Sequence, residues 1–156
     1  MQKFLENLQE AERKIQTADH LVYVTYPLIK DKRILLKILT ETKNAVASCI
    51  NSILQYEYLY KRINLYQDPK VNFETFINKS SKRFTISSIE IKSILELFEI
   101  TELHKQSPME FIKDNKVIIL TNNSKIHQIS IEKIKEFLSL SKNILQKAKN
   151  KILGKI

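Results

Sequence analysis

Arg13 and His20 stand seven residues apart in a stretch that reads as helix. Seven residues are two turns, so a guanidinium and an imidazole project from one face, with Asp19 and Tyr23 close by. They are the first candidates for chemistry in the chain. The plain alternative is an exposed arginine and a histidine at a helix C-terminus, where positive charge suits the helix dipole. The other histidines, His104 and His127, are distant in sequence. They could meet in space, but neither has partners at ligand spacing. Cys49 is the only cysteine, and there is no His-Glu-x-x-His or Cys-x-x-Cys. No metal site is therefore expected. The only glycine is Gly154. Phosphate loops and dinucleotide fingerprints need glycines where backbone approaches phosphate, so no nucleotide cofactor is expected either. Ser/His/Asp triads assemble from distant segments and cannot be read from spacing.

Three further patterns bear on binding. Tyr56, Tyr58, Tyr60 and Tyr66 crowd one stretch beside Lys61 and Arg62. Aromatics next to cations can stack bases and hold phosphates, which makes Lys61 and Arg62 candidate anion contacts. On a helix, though, Tyr56 and Tyr60 share one face and Tyr58 lies on another. A band spread in this way suits packing or a protein interface, where Tyr and Arg are enriched. Asn44, Ser48, Asn51 and Gln55 recur at i, i+4, i+7 and i+11 on an otherwise apolar segment. In so lysine-rich a chain a solvent-facing stripe should carry charge. Uncharged groups suit a partly buried seam, where no ion must be desolvated. Near the end, Leu145, Ala148, Ile152 and Ile156 line one helical face among Lys142, Lys147, Lys149, Lys151 and Lys155. Such a helix can bind membranes or nucleic acid, or simply complete a bundle.

The elements that position these residues are mostly helices, because the chain has long stretches free of Gly and Pro. Apolar residues Phe4, Leu5, Leu8, Ala11, Ile15, Ala18 and Val22 predict a first helix from about Gln2 to Asp19 or beyond. Pro27 disfavours helical geometry at Tyr26, so a turn is expected near Pro27. A second helix should start near Asp31 and meets no breaker until Asp68-Pro69. Continuous, it would have about 36 residues and span ~54 Å. That exceeds a compact domain, so it should kink, overhang or pack against a second chain. From Ala45 to Ile63 it is apolar on most sides, as a central helix is. Asn72 to Lys79 reads as a short third helix. Ser87 with Glu90 is a capping box opening a helix through Ile91, Ile94, Leu95, Phe98 and Leu103. Ser107-Pro108-Met109-Glu110 carries the signals of another helix start, ended by a turn at Asp114-Asn115. Lys116 to Thr121 and Lys125 to Ser130 read as a β-hairpin about Asn122-Asn123. A lone hairpin is marginal in water, so it should lie against the helices. Ser130 then caps a last helix, Ile131 to about Leu153.

The chain has 156 residues, 43% hydrophobic and 28% charged, the balance of one ordinary globular domain. No apolar run approaches the ~20 residues of a membrane span. The first residues, Met1 to Glu6, read as amphipathic helix rather than as a secretory leader. With one cysteine, a cytoplasmic setting is expected, and the Asn-x-Ser sequons at Asn78 and Asn122 are read as chance. The formal net charge is +9, which favours anionic partners. Only Arg13, Arg33, Arg62 and Arg83 are arginines, however. Lysine is a hydrated point charge rather than a bidentate fork, so a solvated coat is the simpler account.

Two resemblances attach to these residues. Arg13, six intervening residues and His20 resemble the Arg-x(four to six)-His motif of HEPN-type helical bundles. That resemblance implies an RNase site, with His20 acting on a 2′-hydroxyl proton and Arg13 stabilising phosphorane charge. Lys14 follows the arginine where the motif usually has a small polar residue, and the motif normally lies on a later helix. The run Ala18 to Lys30, the apolar helix after it, and Ser107 to Phe111 look like a family of short archaeal proteins of unassigned function. That likeness implies a cytoplasmic archaeal setting and no activity.

The expectation is therefore a single mostly α domain over residues 1–156. It is a helical bundle with one long central helix and a small β-hairpin in its C-terminal half. The leading functional expectation is a non-enzymatic protein that self-associates, as a homodimer, or binds a protein partner through the second helix. The interface would comprise Asn44, Ser48, Asn51, Gln55, Tyr56, Leu59, Tyr60 and Ile63. The alternatives are an RNA-binding or RNA-cleaving HEPN-like protein using Arg13 and His20, and a basic binder of nucleic acid or membrane surfaces using the last helix.

Overall fold

A computed structural model describes residues 2–107, 109–114, 116–120 and 125–154; for Met109, Phe111 and Ile112 it describes the backbone alone. The fold is mostly α, a helical bundle with one long central helix and a small antiparallel sheet late in the chain.

Helix α1 (Lys3–His20) buries Phe4, Leu8, Ala11, Ile15 and Ala18, the face its periodicity marks. It does not turn at Pro27. A π-helical turn, Leu21–Thr25, carries the chain into a short helix α2, Tyr26–Ile29. Tyr26 is helical at φ −62° and ψ −42°, and its N–H reaches back to Leu21 O. The wider turn makes room for the proline ring, whose missing N–H would break an ordinary ladder. The reversal comes at Lys30, in the left-handed region at φ 54°.

Helix α3 (Lys32–Leu59) is the central element, capped by Asp31, whose side chain accepts from the N–H of Arg33. Its 28 residues span ~42 Å at ~1.5 Å each, shorter than the sequence suggests. It ends on a Schellman motif. The Arg62 N–H bonds Glu57 O and the Lys61 N–H bonds Tyr58 O, with Lys61 left-handed at φ 59°. That position usually takes glycine, so a stop built on lysine is invisible to a search for breakers. α1 packs along α3, and the last helix lies against both, which is why α3 is apolar on most sides.

Helix α4 (Pro69–Thr75), a π turn (Phe76–Ser80) and the short α5 (Ser81–Arg83) follow, so this helical stretch runs beyond both ends of the Asn72–Lys79 expectation. The capping box at Ser87 is formed with both its bonds and opens α6 (Ser88–Gln106). The next start signal misleads. Met109–Lys113 is strand β1, not a helix. It pairs with β2 (Lys116–Leu120) around the Asp114 turn, and β2 pairs with β3 (Ile126–Ser130), all antiparallel. The expected hairpin is present as β2 and β3, and β1 adds a third strand. Pairing along β2 satisfies the backbone of β1, which outweighs a cap and a favourable first turn. Pro108, Asn115, Asn122-Asn123, Lys155 and Ile156 lie outside the described residues. Val117, Ile119 and Ile129 are buried where the sheet meets α3 and helix α7 (Ile131–Ile152), which Ser130 caps.

Candidate functional site

Arg13 and His20 are both exposed on α1. The Arg13 guanidinium bonds the Glu10 carboxylate one turn earlier. His20 is the last α-helical residue before the π turn. Next to it, half-exposed Tyr23 has Lys135 Nζ 5.5 Å and Lys142 Nζ 6.0 Å from its ring centre. This contact ends a column of pairs joining α1 to α7, with Lys142 at 2.5 Å from Asp19 and Lys149 at 2.9 Å from Glu12. The lysines Lys135, Lys142 and Lys149 are seven apart, so one face of α7 supplies all three. Leu145 and Ala148 are buried and Ile152 is half-buried. The apolar face of the last helix is therefore spent on the bundle core. Lys147 meets Glu90 and lies 2.8 Å from Thr85 O. Burial works against the Glu90 charge, but hydrogen bonds from Lys147 and the Ser87 N–H outweigh it and lower its pKa.

His104 Nδ1 is bonded to Glu110 across the α6–β1 junction, and His127 is on β3. Among the described residues no group of three or more His, Cys, Asp or Glu could hold a metal ion. Cys49 is fully buried in α3, and burial pushes its thiol up to about 12, which leaves it inert.

The C-terminal half of α3 is where sequence-marked residues meet an open surface. Asn44, Ser48 and Gln55 are half-buried and Asn51 is exposed. Asn51 and Gln55 line a groove of about 430 Å³ whose far wall is Leu65, Asn72, Phe73 and Phe98. A staple holds that wall, since Asn72 accepts from the Tyr66 N–H at 2.8 Å and donates to Tyr66 O at 2.7 Å. Gln55 also borders a second hollow of about 630 Å³ between the start of α1 and the end of α3. Phe4, Leu59 and Ile63 give it an apolar lining, and Tyr58 stands at its side. Ser52, fully buried, donates to Phe4 O at 2.7 Å and fixes the start of α1 on α3. The two hollows, which share Gln55, are together termed the trough.

The predicted interface residues divide. Leu59 and Tyr60 are 50% and 56% exposed and available to a partner. Ile63 is buried within the chain, and Tyr56 is half-buried against Phe4, Tyr60 and Phe84. The two cations divide also. Lys61 is exposed at the mouth of the larger hollow. Arg62 bonds Glu57 at 3.2 Å and lies 5.8 Å from the Tyr60 ring centre, which occupies it structurally.

Glu57 is the residue that sequence reasoning missed. It is 0% exposed, yet its carboxylate accepts from Arg83 Nε at 2.6 Å and from Arg62 Nη1 at 3.2 Å. Arg83 Nη2 adds a contact at 2.5 Å. A buried carboxylate held between two guanidinium groups ties the end of α3 to α5 and sets the tip that carries Tyr58, Leu59 and Tyr60. One signal was available. Glu57 is the only acid between Glu41 and Asp68, an isolated charge in an apolar helix.

The fold and trough together define the class: a helical bundle with a small sheet and a largely apolar trough on its central helix, with Lys3 and Lys61 at one end. No family model, no curated protein and no solved structure matches the chain.

Proposed function

We propose that the chain is a non-enzymatic binding protein that self-associates or docks a protein partner through the C-terminal half of α3. One observation carries the reading. Asn51, Gln55, Tyr58 and Leu59 border two hollows that share Gln55 and are lined mostly by apolar and uncharged polar groups, with Lys3 and Lys61 the charged residues among them. Helix length no longer supports it, because α3 stops at Leu59, and the apolar sides of α3 are covered by α1 and α7. What remains is the exposed Tyr58-Leu59-Tyr60 tip beside the trough, an aromatic and apolar patch of the kind found at interface centres. Light scattering at micromolar concentration tests self-association, with Leu59→Asp and Asn51→Asp as variants. A dimer that both variants dissociate supports the reading. If the wild type is monomeric, a photo-crosslinker at Tyr58 should capture one protein in cells, and Leu59→Asp should abolish the adduct. A monomer that yields no discrete adduct ends the proposal.

A second reading has its own observation. His20 is exposed next to Tyr23, which two lysine ammonium groups approach, an arrangement able to stack a base and hold a phosphate. In this reading Arg13 and His20 contact RNA. Binding should then fall steeply with salt, and His20→Ala should abolish any cleavage of single-stranded RNA. Affinity insensitive to salt refutes it.

A further inference from the structure

The larger hollow, part of the surface in the protein-docking reading, also has the chemistry of a small-molecule site. Its volume of about 630 Å³ falls within the range of small-molecule sites. The apolar lining is Phe4, Leu59 and Ile63, while the polar rim supplies the amides of Gln2, Gln55 and Asn64. Two ammonium groups, Lys3 and Lys61, complete it, and among the described residues no carboxylate lines it. Several lysines elsewhere are matched to acids, among them Lys14, Lys133, Lys142, Lys147 and Lys149. Lys3 and Lys61 form no ion pair with a described residue. Other surface lysines are unpaired too. These two differ because they share the mouth of an apolar hollow that contains no acid.

We propose that this hollow binds an amphiphile with an apolar chain and a single carboxylate head. The chain would lie on Phe4, Leu59 and Ile63, where burying its methylenes supplies affinity. The carboxylate would sit between the Lys3 and Lys61 ammonium groups, with the amide N–H groups of Gln55 and Asn64 as further donors. The site overlaps the surface of the protein-docking reading at Gln55, Tyr58 and Leu59. Ligand and partner should therefore compete.

The test uses the purified full chain, decanoate as probe, and decanol and decyltrimethylammonium as neutral and cationic controls. All are kept below their aggregation limits and followed by amide chemical shifts. Decanoate should bind saturably, with shifts concentrated at Phe4, Leu59, Ile63 and Asn64, and should outcompete both controls. The variant Lys3→Ala/Lys61→Gly should lose about tenfold in decanoate affinity and leave decanol affinity unchanged, as expected for removing charge-assisted contacts. Glycine suits the left-handed backbone at position 61, so this variant keeps the fold, and Lys3→Ala alone gives a second reading with smaller loss. Equal affinity for the three amphiphiles overturns the proposal. So do shifts scattered over the exposed Leu28, Ile29 and Ile89, or no saturable binding of decanoate. The titration is run at a chain concentration at which light scattering shows monomer, so no partner covers the hollow; its failure then leaves the docking reading intact, and the mass measurement fails or succeeds separately.

Discussion

The cluster at the end of α3 yields the sharpest mutational contrast in the protein. Glu57 is wholly buried, whereas the side chains of Arg83 and Arg62 are 36% and 40% exposed. Truncating either arginine leaves Glu57 in place, but the two losses differ. Arg83→Met removes the 2.6 Å Nε bond and the 2.5 Å Nη2 contact, leaving the carboxylate with a single bond at 3.2 Å. Breaking a buried pair in this way costs about 3 kcal/mol or more, since a desolvated charge loses its main partner. Arg62→Met removes one long bond to a side chain already part-solvated, a loss of about 1 kcal/mol. Glu57→Gln keeps the shape but takes the charge from beside Arg83 Nη2, which is shielded from water, while the part-exposed Arg62 can be resolvated, so it should cost about 2 kcal/mol. In a chain of this size ~3 kcal/mol corresponds to a fall in Tm of roughly 6–12 °C. Urea unfolding at neutral pH, followed by helix circular dichroism, gives the three midpoints. The expected order of loss is Arg83→Met, then Glu57→Gln, then Arg62→Met. If Arg62→Met equals or exceeds Arg83→Met, the two-contact geometry does not carry the cluster and the reasoning fails.

Lys61→Gly should raise stability by about 0.5–1 kcal/mol, because glycine adopts the left-handed conformation at φ 59° without steric cost; a fall in the urea midpoint refutes this. The hydrogen bonds from Arg33, with its adjacent charge, hold the Asp31 carboxyl at about 2, well below the usual carboxylate range. A depressed folded-state pKa contributes stability above the unfolded value and loses it as pH falls toward the folded one. The gap in urea midpoint between wild type and Asp31→Ala should thus be full above pH 5 and shrink between pH 4 and pH 2; a gap that widens on acidification contradicts the cap. Cys49 should resist iodoacetamide in the native state and react only in step with global unfolding, and rapid labelling without unfolding would show that α3 opens locally.

What was legible in the sequence was local chemistry repeated at short range. The apolar spacing of Phe4, Leu8, Ala11, Ile15 and Ala18 fixed the buried face of α1. The Ser87 and Ser130 caps marked where α6 and α7 begin, and the hairpin of Lys116 to Ser130 showed in its β-branched runs. Each needs only neighbours within a few residues. The failures share a cause. Pro27, Lys61 and Ser107-Pro108-Met109-Glu110 carry local signals that tertiary context overrides. A π turn absorbs the proline, a lysine takes the left-handed position that a glycine would announce, and the edge of β2 draws a helix-start sequence into a strand. The candidate site lies between these cases. The stripe Asn44, Ser48, Asn51 and Gln55 was visible because its period is helical. That Phe4 from the first helix completes its hollow was not, nor that Arg83 meets Glu57 from 26 residues away. Long-range pairing leaves no period in the chain. Only the packing of α1, α3 and α5 brings Lys3 and Lys61 to one hollow, and Arg83 against a carboxylate that the sequence shows merely as an isolated acid.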